Sequence, residues 1–431
     1  MSRAPVDEQF VRRAGGRAGG RRGGGWRAGG RRVRGPLLLG PAFVAAVAYV
    51  DPGNVAANLT AGARYGYLLL WVLVVANAMA VLVQYQSAKL GLVTGRSLPD
   101  VLGQRLRRGP RLAFWVQAEL VAAATDLAEV VGGAIALHLL FGLPLWLGGL
   151  LVGGVSLLLL ATQDRFGQRR FEHVVVGLLA VVTLGFLAGL VVSPPDARGV
   201  LSGLVPRFDG EDSVLLAASM LGATVMPHAI YVHSALARDR HGYAEPGPSR
   251  RRLLRATRWD VGIALVVAGL VNIGLLLLAA SGLRGAAGTD SIEGAHAAIS
   301  ATLGPVVAVA FAVGLLASGL ASTSVGAYAG ATIMAGLLHR QVPILVRRVV
   351  TLIPAVLLLA AGADPTWTLV VSQVVLSFGI PFAVVPLVRL TRARDVMGDE
   401  RTGTGLHAVL VGVVALVVTL NVALVYLLVV G

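Results

Sequence analysis

The sequence has no cysteine and a single lysine, Lys89. Without cysteine there is no disulfide framework and no thiolate metal site. Charged residues make up 14% of the chain, whereas soluble domains have roughly 25%. This scarcity of charge excludes an ordinary soluble protein, and because apolar runs recur almost to the end of the chain, no soluble catalytic domain is left over.

Hydrophobic residues make up 56% of the chain, and they are grouped in runs of about 20 residues. The runs cover residues 36–60, 67–93, 112–140, 144–162, 173–193, 213–236, 259–282, 305–337, 349–362, 367–389 and 405–430. We interpret them as eleven membrane spans of one domain, residues 36–430, and the short ninth span can begin inside the sequence PILVRR. The pattern predicts an all-α polytopic membrane protein in contact with the lipid bilayer.

The first 35 residues are rich in arginine and glycine and lack the apolar core of a cleaved signal peptide. We predict that they form a disordered cytoplasmic tail. The formal net charge of +15 comes from arginines in this tail and in alternate connections between spans. This alternation predicts membrane orientation and no nucleic-acid partner. We expect a bacterial inner-membrane protein with a cytoplasmic N-terminus and an extracytoplasmic C-terminus.

Two spans are interrupted by residues that a membrane helix does not favour. The first contains AYVDPGNVAANLT, where Asp51 precedes Pro52 and Gly53. The sixth contains LGATVMPHAIYVHS, with Pro227 inside it. Spans five apart cross the membrane in opposite directions, as an inverted repeat of five requires. Paired interruptions of this kind indicate a transporter with its binding site near the midplane.

The residues at the two breaks suit a divalent cation. Asp51 and Asn54 supply oxygen atoms three positions apart, and unwinding at Pro227 would free the carbonyl of Ala223. Met226 adds a thioether, which favours a transition metal over Mg²⁺ or Ca²⁺. Taken singly, a buried methionine is usually core packing and an intramembrane proline is usually structural. Their joint placement at related breaks favours a metal site.

Two other spans carry polar residues. The third contains Glu119, Asp126 and Glu129, of which the last two share a helix face. We interpret these acids as a proton relay, with an ion pair to a buried arginine as the alternative. In the tenth span Gln373 can either complete a coordination shell or hydrogen-bond between helices.

With DPGN at 51–54 and MPH at 226–228, the sequence resembles the Nramp family of divalent-metal transporters. TDLAEVVGG in the third span, SQVVLSFGIPFA in the tenth and a short loop with Arg347 and Arg348 extend the resemblance. It implies a LeuT-type fold: a 5+5 inverted repeat plus an eleventh helix, with the first and sixth helices broken. It also implies that a monomer imports Mn²⁺, together with Fe²⁺ and other transition divalents, with protons by alternating access.

The resemblance implies roles for individual residues. The metal is the substrate, no cofactor is expected, and the ligands would be Asp51, Asn54, Met226, the carbonyl of Ala223, Gln373 as the site closes, and the carbonyl of Ala48. The proton route would include Asp51, His228, Asp126 and Glu129 and lead towards Arg348, with Glu119 and His233 accessory.

The eighth span departs from the family pattern. Leu320 and Ala331 occupy positions where glutamines are expected, which affects packing and gating rather than the metal ligands. A Mg²⁺ transporter or a Na⁺-coupled transporter of organic solutes is the alternative within the fold. An intramembrane enzyme is disfavoured because the chain has no HExxH or GxSG motif. A passive channel would not require paired breaks beside a relay.

Overall fold

The structure, a computed structural model, describes the backbone of residues 40–166, 168–340 and 342–430. Side chains are not described at residues 162–169, 344, 370 and 424–430. The predicted disordered tail, residues 1–35, lies outside the described residues. Within them the chain is helical, and no β-strand occurs.

The described residues in the first half of the chain form ten α-helices. They are α1 Pro41–Val47, α2 Pro52–Tyr65, α3 Leu70–Thr94, α4 Leu98–Arg105, α5 Arg108–Phe141, α6 Leu145–Phe166, α7 Gln168–Val192, α8 Ala197–Gly203, α9 Gly210–Thr224 and α10 Pro227–His241. Those in the second half form seven. They are α11 Pro248–Gly282, α12 Ile292–Leu303, α13 Pro305–Leu338, α14 Ile344–Ala360, α15 Pro365–Arg392, α16 Arg394–Met397 and α17 Thr404–Val430.

Within the described residues, helix occurs in each of the eleven predicted spans. Counting α9 and α10 as one, eight helices of the described chain are long and apolar enough to cross a membrane. The first span is divided between the short helices α1 and α2, the fourth corresponds to the apolar segment Leu145–Ala161 of α6, and the ninth is the 17-residue α14. The first span is α1 and α2, and the sixth is α9 and α10, so the two predicted breaks are confirmed.

Two helices extend beyond the apolar runs that predicted them. The helix that carries the seventh span begins at Pro248, before the apolar run at 259, because the arginine-rich sequence ahead of the run continues the same helix. Helix α14 begins at Ile344, inside PILVRR. Arg347 and Arg348 therefore lie in a helix and not in a loop, and both side chains are buried. In each case the polar end of the helix has the same composition as a connection between spans, so the sequence does not show where the helix begins.

Local chemistry explains the first break. After α1 a 3₁₀ turn, Ala48–Val50, leads to Asp51, whose backbone is extended with φ −78° and ψ 165°. The Asp51 side chain accepts a hydrogen bond from the backbone N–H of Asn54 and so caps the start of α2. Pro52 occupies the first turn, where a missing N–H costs nothing.

The second break has a similar backbone arrangement. Helix α9 ends at Thr224, and Val225 and Met226 have non-helical backbone angles. Pro227 then begins α10. Around the two broken spans, α13 packs along α5 and α7, α11 along α2 and α3, and α15 along α5. The breaks are thus enclosed by intact helices.

Candidate metal site and proton route

The two breaks meet through the side chain of Asn54. Its backbone N–H and its Nδ2 each donate to Asp51 Oδ1 at 2.8 Å. The same Nδ2 donates to the carbonyl oxygen of Ala223 at 3.0 Å, across 169 positions of sequence. The structure therefore brings three predicted ligands, Asp51, Asn54 and Ala223, into one cluster. All three residues have no exposed surface.

Gln373 of α15 joins this cluster. Its Nε2 lies 3.4 Å from Asp51 Oδ2, at the long end of hydrogen bonding. The approach depends on Gly53, because a Cβ at that position would lie 1.7 Å from Gln373 Nε2. The sequence identified Gly53 only as part of a helix break. Its second role, admitting the side chain of another span, carries no sequence signal.

The two amides present their oxygen atoms without partners. Asn54 Oδ1 and Gln373 Oε1 are buried, and neither has a hydrogen-bond partner among the described residues. Both amides turn their N–H groups towards Asp51 instead. A rotation that exchanges nitrogen and oxygen would direct two neutral oxygens towards the carboxylate, where a cation could bind all three. An amide can exchange donor and acceptor in this way because its two ends have nearly the same shape.

Met226 and Ala48 lie at the breaks, where each makes a local backbone hydrogen bond: the Met226 carbonyl accepts from the Ile230 N–H at 3.3 Å, and the Ala48 N–H donates to the Ala46 carbonyl. Met226 precedes the first turn of α10, and Ala48 lies in the 3₁₀ turn before Asp51. Both are fully buried in the same apolar cluster. The described residues contain no group of three or more His, Cys, Asp or Glu that could hold a metal. A cation site here would therefore rely on one carboxylate, amide and carbonyl oxygens, and the thioether.

Carbonyl groups freed by the first break are held by neighbouring helices. Asn272 of α11 donates to the Tyr49 carbonyl at 2.7 Å, and Ser318 of α13 donates to the Val50 carbonyl. These bonds satisfy backbone groups that would otherwise be costly to bury. The sequence analysis missed Asn272 and Ser318, because a single small polar residue in an apolar helix resembles ordinary interhelical packing.

The acids of α5 face the arginines of α14. Arg348 Nη1 lies 3.1 Å from Asp126 Oδ1, and Arg348 Nε donates to Ser156 at 3.0 Å. Arg347 pairs with Glu119 at the same interface. The alternative stated for these acids, pairing with buried arginines, thus describes Glu119 and Asp126. Pairing and proton transfer are compatible, and the relay stays a prediction.

Glu129 occupies a different environment from the other two acids. It is fully buried, and neither carboxylate oxygen has a hydrogen-bond partner among the described residues. Gly326 of α13 makes room for it, since a Cβ there would lie 3.0 Å from Glu129 Oε2 and 3.2 Å from Asp126 Oδ1. Gly132, which lies on α5 with Glu129, packs directly on Pro52 of the first break. Glu129 thus lies between the break and the paired acid.

The two histidines of α10 point to different partners. His228 Nδ1 lies 3.3 Å from Thr125 Oγ1, beside Asp126 in sequence. His233 Nδ1 lies 2.8 Å from Gln84 Oε1, and Gln84 in turn donates to the Tyr49 hydroxyl at 2.7 Å. The structure therefore brings His228 to the acid-bearing helix and directs His233 to α3 and, through Gln84, to the 3₁₀ turn after α1. An accessory proton role for His233 stays a prediction.

The unusual eighth span contacts this region through small residues. Gly330 of α13 lies against Arg347, and a Cβ there would come within 1.7 Å of Arg347 Nη1. Leu320 and Ala331, the positions that depart from the family pattern, are partly buried on the same helix. The departures thus lie on the helix that accommodates the arginines and not among the clustered metal-site oxygens.

Comparison with known proteins identifies the family. The family model described as natural resistance-associated macrophage protein-like, or Nramp, matches residues 42–427. This chain belongs to the Nramp family. A divalent metal cation transporter, MntH, of Mycobacterium tuberculosis is 64% identical over 390 residues, which are 90% of this chain and 91% of the relative. The resemblance drawn from DPGN and MPH is thereby confirmed, as is the prediction of a transporter rather than an enzyme.

Solved structures agree with the assignment. The Eremococcus coleocola manganese transporter, in complex with an aromatic bis-isothiourea substituted compound, aligns with a TM-score of 0.84 at 31% identity, covering 92% of this chain and 88% of that one. Mhp1, a nucleobase-cation-symport-1 family transporter, aligns with a TM-score of 0.56 at 15% identity over 90% and 89%. The second likeness shows the fold alone. The LeuT-type fold predicted for this Nramp protein is confirmed.

Proposed function

We propose that this Nramp protein imports Mn²⁺, together with Fe²⁺ and other transition divalent cations, in symport with protons by alternating access. The metal is the transported substrate. Relatives of this protein are named as transporters of divalent metal cations and of manganese. We further propose that it works as a monomer in a bacterial inner membrane, with its N-terminus in the cytoplasm and its C-terminus outside. The arginine-rich alternate connections support this orientation.

The observation that carries the proposal is the junction of the two breaks. Asn54 joins Asp51 of the first span to the Ala223 carbonyl of the sixth, and Gln373 approaches from the tenth. Polar groups from three spans thereby cluster around one carboxylate, with Met226 at the second break. Oxygen donors with one soft sulfur fit a transition divalent cation better than Mg²⁺ or Ca²⁺.

Alternating access is supported by the burial of these groups. Asp51, Asn54 and Met226 have no exposed surface, and Gln373 is 5% exposed. A cation can reach or leave them only if helices on one side separate while those on the other stay packed. Interrupted helices permit such movement, because each half can move without breaking hydrogen bonds in the other.

Proton coupling is supported by charge and by the adjacent acids. One carboxylate does not neutralise a divalent cation in a low-dielectric site, so the charge on neighbouring groups affects binding. Glu129 and Asp126 lie on the helix that packs against Pro52, and Arg348 lies beyond them. We propose that protons follow this sequence of groups, with His228 beside it, while the metal occupies the junction.

A Mg²⁺ transporter is the second candidate, because the clustered oxygens alone suit a hard ion. A Na⁺-coupled transporter of organic solutes fits less well, since Asp51 would repel a substrate carboxylate at the first break. The buried thioether of Met226 favours transition metals over both.

The test is uptake of radiolabelled Mn²⁺ into proteoliposomes with and without an inward-directed proton gradient. We expect the gradient to accelerate uptake, and Mn²⁺ entry to carry protons. Asp51→Ala should abolish uptake, because the only carboxylate at the junction is lost. Asp290→Ala is the matched control, since Asp290 lies in an exposed connection between α11 and α12. Substantial Mn²⁺ uptake by well-folded Asp51→Ala protein would refute the site.

A further inference from the structure

Helix α11 is longer than a membrane span requires. It has 35 residues, which corresponds to about 52 Å, whereas a bilayer has a hydrocarbon core of about 30 Å and a total thickness of about 40–45 Å. The segment Val261–Gly282 is apolar and alone covers about 33 Å. The preceding residues of α11 must therefore extend through the headgroup layer.

One face of this helix changes from basic to apolar. Arg251, Arg255 and Trp259 are exposed at helical spacing, and Trp259 is 66% exposed. The same face continues through Ile263 and Leu270, which are 43% and 54% exposed. Exposed apolar residues on a membrane span contact lipid chains, and a tryptophan at the end of such a stripe marks the interface. The exposed arginines therefore lie at the depth of the lipid phosphates.

These arginines differ from their buried neighbour. Arg250 is 6% exposed, donates from Nε to the Ala244 carbonyl and lies over the Tyr243 ring, so it is used within the fold. Arg251, Arg252 and Arg255 point outward. Among the described residues, no salt bridge or hydrogen bond of their side chains is found. Their guanidinium groups are thus free to bind an external anion.

We propose that Arg251, Arg252 and Arg255 bind the phosphates of anionic phospholipids in the leaflet that meets this end of α11. The occupant follows from charge complementarity and from continuity with the lipid-facing stripe below Trp259. Guanidinium groups bind phosphate through paired hydrogen bonds. Basic clusters directly beside a span attract anionic lipid by about 1 kcal/mol per residue, or roughly fivefold. The surface is separate from the metal junction and does not depend on the proposed substrate.

Trp259 provides a local probe for this surface. The protein would be reconstituted into phosphatidylcholine vesicles with a minority of phosphatidylglycerol, with bromine atoms on the acyl chains of either lipid as fluorescence quenchers. The difference between the wild type and Trp259→Phe isolates quenching of Trp259 from the other tryptophans. We expect brominated phosphatidylglycerol to quench Trp259 at least about threefold more than an equal amount of brominated phosphatidylcholine.

The triple variant Arg251→Gln, Arg252→Gln, Arg255→Gln should lose most of this preference. The matched control is Arg198→Gln, Arg207→Gln, Arg284→Gln, which removes the same charge from exposed positions in the connections α7–α9 and α11–α12. It should retain the preference. Equal quenching by the two lipids in wild type, or an undiminished preference in the first triple variant, would overturn the proposal.

A measurement on the wild type alone tests the proposal even if the triple variant misfolds. At about 0.5 M salt the Debye length is shorter than about 5 Å, so binding by charge should weaken. We expect the preference for phosphatidylglycerol around Trp259 to fall towards equality. A preference that does not change with salt would also overturn the proposal, because it would have to arise from chain packing rather than from phosphate binding.

Discussion

Arg348 and Asp126 form an ion pair inside the protein, with Arg348 Nη1 3.1 Å from Asp126 Oδ1 and each residue 1% exposed. Ser156 accepts a further hydrogen bond from the arginine. Removing two charges from water is costly, and their attraction offsets this cost only when both partners are present. The pair therefore links α5 to α14 structurally, and it also places a fixed positive charge beside the predicted proton route.

This pairing predicts a non-additive double-mutant cycle. Arg348→Met should destabilise the protein by about 3–5 kcal/mol, because it leaves a buried carboxylate without its cation. Asp126→Leu should be similarly harmful, whereas the double variant should be more stable than either single variant. The measurement is the thermal unfolding midpoint of each purified protein in detergent. Additive losses in the double variant would show that the two charges do not interact.

Conservative changes to the acids should separate proton movement from metal binding. Asp126→Asn and Glu129→Gln retain the size of the side chain while removing the charge. We expect each variant to bind Mn²⁺ with near-normal affinity. Its pH-driven uptake rate should be reduced by about tenfold relative to the wild type. Parallel assays would follow metal binding and metal-induced proton flux. Normal proton flux in both variants would eliminate the relay.

Gly53 should control the approach of Gln373. Gly53→Ala places a Cβ where Gln373 Nε2 now lies, 1.7 Å away, so Gln373 must move away from Asp51. We expect the KM for Mn²⁺ to rise about tenfold, or about 1.4 kcal/mol. Gly154→Ala is the matched control, because a Cβ there meets nothing within 4 Å. Equal KM values for the two variants would show that Gln373 is not needed near the carboxylate.

The sequence predicted the features that are physically costly. Asp51, Pro52 and Pro227 stand out because an acid or a proline in an apolar span needs an explanation. The eleven spans and both breaks followed from such contrasts. The helical start of α11 did not, because its arginines suit a cytoplasmic connection as well as a helix end. Composition does not separate these two cases.

Partners of individual side chains were harder to predict. Asn272 and Ser318 hold the carbonyls of the first break, yet each is one small polar residue in an apolar helix. His233 shares α10 with His228 but meets Gln84 instead of the acids. These contacts depend on which helices become neighbours and how each one is rotated. Periodicity along one helix contains neither kind of information.

Met226 should determine selectivity more than transport itself. A thioether adds modestly to Mn²⁺ binding, more to Cd²⁺ binding and little to binding of Ca²⁺ or Mg²⁺. Met226→Ala should therefore weaken Cd²⁺ binding most. The space left at this fully buried position should admit water and give an oxygen-rich shell that the hard ions accept.

Hard ions in excess would then compete with scarce Mn²⁺. The function of the sulfur would thus be to exclude hard ions, a role that its modest contribution to Mn²⁺ affinity does not explain. The measurement is Mn²⁺ uptake under excess Ca²⁺ or Mg²⁺ in wild type and Met226→Ala, together with Cd²⁺ binding. Met220→Ala is the matched control, since Met220 is equally buried on α9 but lies before the break. If Met226→Ala resisted the hard ions as wild type does and bound Cd²⁺ normally, Met226 would be core packing and the site would select metals by oxygen geometry alone.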